Sequence, residues 1–142
     1  MEYNAAFFGY VERMFKLVKE EFGEEKALEL TATCLEQGLG SAYDSMGFEK
    51  GKPEDFARVT GERDKSVGLY VEFPEVTDTR IVYQFHDDPF PNLKGFVEAE
   101  KLDATYMKFK VSYLLGEGWS YRTTKHLWKG DECTEHVIEK MV

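Results

Sequence analysis

The chain of 142 residues is poor in the residues that staple or punctuate a fold. It has two cysteines, Cys34 and Cys133, far apart and without a C-x-x-C, so neither a disulfide framework nor a zinc knuckle is indicated. Reduced thiols and a cytoplasmic location are the expectation. The three histidines do not stand at helical or knuckle spacing, so a metal site could arise only by tertiary assembly of His86, Asp87, Asp88, His126 and His136, and no metal is expected. No segment is long and apolar enough to span a bilayer, and the run Ala5-Ala6-Phe7-Phe8 lacks the basic flank of a signal peptide, so no membrane association is expected. Basic residues are outnumbered, 18 against 27 acidic, and the net charge of −9 opposes binding to nucleic acid or anionic lipid. There is no G-x-G-x-x-G, G-x-x-x-x-G-K or G-x-S-x-G, so nucleotide cradles and the hydrolase elbow lack support and the cofactor is unknown.

What is present suffices for one domain spanning residues 1–142, long enough to bury roughly two-thirds of its unfolded surface. Phe7, Val11, Met14, Val18 and Phe22 recur at helical spacing and predict a first helix ended by Gly23, with Glu12 on its solvent side. Glu24 and Glu25 open a second helix, where carboxylates meet the positive end of the dipole. Pro53 opens a short third helix, roughly residues 54–60. The period then falls to two: Leu69 to Phe73 and Arg80 to His86 alternate as strands joined across 74–79. The prolines and acids of 86–92 mark a loop, residues 97–115 return to helical spacing, and a final hairpin follows. The predicted architecture is α+β, with a mainly antiparallel sheet of about four strands and helices packed on one face.

That last hairpin concentrates reactive side chains. With Gly130-Asp131 as its tip, Arg122 stands opposite Glu139, Thr124 opposite Val137, and His126 opposite Glu135. Arg122, Thr124, His126, Trp128, Cys133 and Glu135 then share one face, and His136 takes the other. Cys133, His126 and Glu135 could form a nucleophile, a base and its orienting carboxylate, and Arg122 could hold a substrate carboxylate. The structural alternative is a buried cysteine beside a tryptophan and an exposed His-Glu pair.

Gly23-Glu24-Glu25-Lys26-Ala27-Leu28, Asp88-Pro89, Arg122-Thr123 and Gly130-Asp131-Glu132-Cys133 give the chain a pattern that resembles the L-2-amino-thiazoline-4-carboxylic acid hydrolase-like family. It also looks like vinyl-reductase-type small-molecule sensing domains. The resemblance implies a ligand pocket between helices and sheet, on the face carrying Cys133. Asp88 stands where that family commonly has cysteine, Glu135 where it has an aromatic, and the helix of 103–115 carries no cysteine. The implied function is binding of a small molecule, with hydrolysis of a small cyclic carbon-nitrogen substrate, or else non-catalytic ligand sensing. Cys133, His126 and Asp88 are the implied catalytic residues, and Arg122, Glu135, Trp128 and Thr124 the substrate-binding ones. A homodimer formed through the helices completes the expectation.

Overall fold

The computed structural model describes residues 2–142. Four helices and four strands follow in the order α1 (Ala5–Phe22), α2 (Glu24–Met46), α3 (Pro53–Ser66), β1 (Val71–Val76), β2 (Arg80–Phe85), α4 (Ala99–Leu114), β3 (Trp119–Lys125) and β4 (Thr134–Lys140). The strands form one antiparallel sheet in the order β1-β2-β4-β3, an α+β arrangement.

The Asn4 side chain accepts from the Phe7 amide and starts α1, and Gly23, at φ 94°, ends it and admits α2 directly. The buried face of α1 is set by Phe8, Glu12 and Phe15, while Met14 and Phe22 are exposed. Glu12 therefore departs from its expected place in solvent. Its two carboxylate oxygens accept from the backbone and side-chain amides of Asn92, at 2.7 and 3.0 Å, and so tie the loop after β2 to α1.

Helix α3 runs six residues past its expected end. The stripe that packs it inward is Phe56, Val59, Thr60 and Asp64, so its helical period continues through polar residues and is lost to any reading of hydrophobicity alone. After it, Gly68 at φ 82° lies under the crossing N-terminal segment, and a Cβ there would stand 1.9 Å from the Glu2 carbonyl oxygen.

Pro74 was expected in the connection but lies within β1, at the register irregularity between Glu72 and Glu75, on a strand that forms the sheet edge and can spare the donor. One hydrophobic cluster draws Phe8 and Phe15 from α1, Leu39 and Tyr43 from α2, Phe56 from α3, Met107 and Leu114 from α4, and Tyr83, Phe85 and Ile138 from the sheet. The contacts that tie α3 and α4 to the sheet, Phe56 on Tyr83 and Tyr106 on Phe85, fall on the face shared by Ile81, Tyr83, Phe85, His136 and Ile138.

Replacing Glu12 by alanine removes both charge-assisted bonds to the exposed Asn92 and unties its loop from α1. The expected loss is about 1 to 3 kcal/mol, read as a lower urea midpoint with unchanged m-value.

Candidate functional site

In α4, Asp103, Tyr106 and Lys110 stand three and four residues apart, on one buried face. Lys110 points its ammonium into the space between α4, α3 and β2. There it donates to the Tyr83 hydroxyl at 2.8 Å and lies 3.4 Å from an Asp64 oxygen, and the Tyr83 hydroxyl donates to the other oxygen of Asp64. The rings of Tyr83, Phe85 and Tyr106 surround the ammonium with centroids 5.1 to 5.3 Å away. Burial lowers the Lys110 pKa and Asp64 acts against that shift, while burial raises the Tyr83 hydroxyl far above its ordinary value.

Next to this cluster is an apolar cavity of about 140 Å³. Phe8, Val11, Leu35, Leu39, Phe85 and Phe90 form its walls, with Asp64 and Lys110 among the lining residues. Its exposed lining residues, Phe7, Cys34 and Gly38, place the mouth between α1 and α2.

Phe85, Phe90 and Tyr106 also form one side of a second, smaller space of about 10 Å³, room for about one water molecule. Asp103, His126, Asp88 and Trp128 line its far side. The Trp128 indole donates to Asp88 at 2.6 Å, and the Phe90 amide donates to the other Asp88 oxygen at 2.9 Å. Burial raises the Asp88 carboxyl above the usual range against these two bonds. The Trp128 amide donates to His126 Nδ1 at 3.0 Å, so the proton resides on Nε2, which faces an Asp103 oxygen at 2.9 Å. Tyr106 donates to the remaining Asp103 oxygen at 3.0 Å. His126 therefore has no free lone pair to offer a substrate.

Of the residues expected at the site, His126, Asp88 and Trp128 come together, and the others do not. The observed register pairs Arg122 with Val137 and Thr123 with His136, two residues from the expected one, and Lys125 with Glu135, one residue from it. The connection is a 3-10 turn at Leu127–Lys129 instead of a two-residue tip, closed by Asp131, which accepts from the His126 amide at 2.8 Å. An irregularity between Thr123 and Lys125 places both Thr124 and Lys125 beside Glu135, and this extra residue turns His126 to the inner face.

Arg122, Thr124 and Glu135 remain on the outer face, not the inner one. Arg122 pairs there with Glu139, and Glu135 accepts from Thr124 at 2.6 Å and Gln84 at 2.7 Å, which lowers its carboxyl pKa. Cys133 shares this parity. It is buried, burial raises its thiol pKa, and the charges around it are Lys125, Glu135, Glu132 and Asp131, with no imidazole among them. The inner position belongs to His136, whose Nδ1 meets the Thr123 hydroxyl at 2.9 Å while Nε2 has no partner among the described residues.

Asp64, Asp103 and Lys110 were not singled out from the sequence. The available signal was a charge inside an apolar helical stripe, as with Lys110 four residues after Tyr106. Among the described residues no group of three or more His, Cys, Asp or Glu side chains is placed to hold a metal ion, and no helix is long and apolar enough to cross a membrane. Neither a protein-family model nor a curated protein matches this chain.

Burial lowers the His136 pKa from 6.5 to about 4; Asp103 acts against the shift, and Lys110 and His126 add to it. The unfolded chain therefore binds the proton more readily between those values, so stability falls as pH drops through this window. Between pH 7 and pH 5 the expected loss is about 2 kcal/mol in urea unfolding, and His136→Gln should remove most of that slope.

Proposed function

We propose that this chain is a small-molecule-binding domain, with the ligand held in the cavity between the four helices and β2. One observation carries the reading: an apolar cavity of about 140 Å³ opens at Phe7, Cys34 and Gly38 and has a buried, paired ammonium in its lining. An apolar space of roughly 150 Å³ is enough for a benzene ring, so the ligand's buried body is about one ring or six carbons in size. Binding without chemistry needs only these walls. Gly38→Met tests it, because a Cβ at Gly38 meets nothing within 4 Å and a longer side chain there occupies the mouth. The variant should gain about 0.5 to 1 kcal/mol of helix stability and lose the thermal shift that toluene or indole gives the parent. A parent that no ring-sized compound stabilises, or a variant that responds equally, defeats the reading.

A second, hydrolytic reading is favoured by Asp88, whose carboxyl is raised by burial and lies across Phe85, Phe90 and Tyr106 from the cavity. There it would act as base toward water on a small cyclic carbon-nitrogen substrate such as L-2-amino-thiazoline-4-carboxylic acid. His126 then orients Trp128 and the loop. Asp88→Asn should abolish turnover of that compound while the cavity still binds indole, and equal turnover by parent and variant removes this reading.

Two copies are proposed to pair through the helices. Phe7, Tyr10, Met14 and Leu17 form an exposed stripe on α1, and Phe22 and Leu30 extend the exposed apolar surface. At roughly 150–250 Å² for a large side chain, their exposed fractions amount to on the order of 600 Å², near the ~800 Å² per partner of a stable interface. Sedimentation should give a dimer for the parent and a monomer for Leu17→Glu; a monomeric parent at about 100 μM, roughly a hundredfold above a 1 μM Kd, overturns the pairing.

A further inference from the structure

Three charged side chains line the cavity: Arg63, Asp64 and Lys110. Asp64 and Lys110 are buried and matched to one another. Arg63 is left over. Among the described residues no carboxylate lies within ion-pair distance of its guanidinium, although Arg58 pairs with Asp55, Arg80 with Glu75 and Glu139, and Arg122 with Glu139. Arg13 also lacks an ion pair, but it is exposed and does not line this cavity.

Among the described residues eight of the 18 basic side chains pair with a carboxylate, and of the two cations in the cavity lining Arg63 is the one that does not. A cation kept free at a cavity therefore gives that cavity a net charge of +1, opposite in sign to the rest of the protein. Arg63 is half-buried, with its guanidinium carbon 6.0 Å over the ring of Phe7 at the mouth. Such a contact uses the face of the guanidinium and leaves its edge donors available. The charge is also felt inside, where it opposes protonation of Lys110.

We propose that the ligand is an amphipathic monoanion, with a ring-sized apolar body between Leu35, Leu39, Phe85 and Phe90 and a carboxylate at the mouth on Arg63. This rests on the cavity being the ligand site. The fork of Arg63 suits a carboxylate through two parallel N–H···O bonds, and partial burial strengthens them. The Asp64–Lys110 pair is already neutralised, so the inner end offers no second anion site and the head group stays at the mouth. A neutral ligand of the same shape leaves Arg63 half-buried and unmatched, and that difference is the source of selectivity.

Calorimetric titration of the full chain with 3-phenylpropionate and with 3-phenyl-1-propanol separates the possibilities. The parent should bind the acid about tenfold or more tightly than the alcohol, a ratio that falls as salt is raised. Arg63→Met should keep the affinity for the alcohol, which also reports that the variant is folded, and lose the preference for the acid. Equal affinities in the parent, or a preference that survives in Arg63→Met, overturn the inference and leave the cavity reading intact. Failure of both compounds to bind removes the cavity reading and the inference together.

Discussion

The interior is arranged around the ammonium of Lys110, which is almost wholly buried. A buried charge is costly unless it is paired and hydrogen-bonded, and α4 alone cannot supply the partners. The carboxylate comes from Asp64 of α3 and the hydroxyl from Tyr83 of β2, so one side chain fixes a helix and a strand relative to α4. Tyr83 in turn donates to Asp64, which closes the triangle. A hydrophobic replacement of such a cluster is often neutral or better for stability, so cohesion is a weak reason for a protein to hold it. Its place in the cavity lining gives a stronger reason, because there the pair supplies polarity to an otherwise apolar wall.

A second polar seam runs from the other end of the same helical face. Asp103 holds His126 and Tyr106, the Trp128 amide holds His126 through its other nitrogen, and the Trp128 indole holds Asp88. The two seams meet at Tyr106, which donates to Asp103 and packs its ring against the Lys110 ammonium. Helix α4 thus carries both polar groups on one stripe, and Phe85 and Phe90 help separate them. Phe85, Phe90 and Tyr106 line both the cavity and the small space beside Asp88 and His126.

The order of helices and strands was legible because hydrophobic period, caps and turn chemistry agreed along most of the chain. Gly23 marked the end of α1 and the two alternating runs marked the first hairpin. Legibility failed where tertiary contacts replaced hydrophobicity. Helix α3 continued through Thr60 and Asp64 because Asp64 has a partner on α4, and Glu12 turned inward because Asn92 needed an acceptor. Strand parity also failed at a single inserted residue. Up to Thr123 the alternation was correct, and beyond the irregularity it reversed, so His126 parted from Arg122 and Thr124.

That reversal separates the residues that simple alternation groups on one face. An exposed sheet face in an acidic chain needs its carboxylates matched, and Arg80, Arg122, Thr124 and Gln84 do this for Glu75, Glu135 and Glu139. Alternate Arg, Thr and Glu positions are the ordinary dress of a solvated face, even when they imitate a catalytic array. Polar residues inside an apolar stripe carry the opposite meaning, since each must have a buried partner to be tolerated. Lys110, Asp103 and Asp64 interrupt their stripes in this way, and all three line the cavity or the polar seam beside it. In this fold the informative charges are those that break the pattern of a helix, while those that continue the alternation of a strand serve its contact with water.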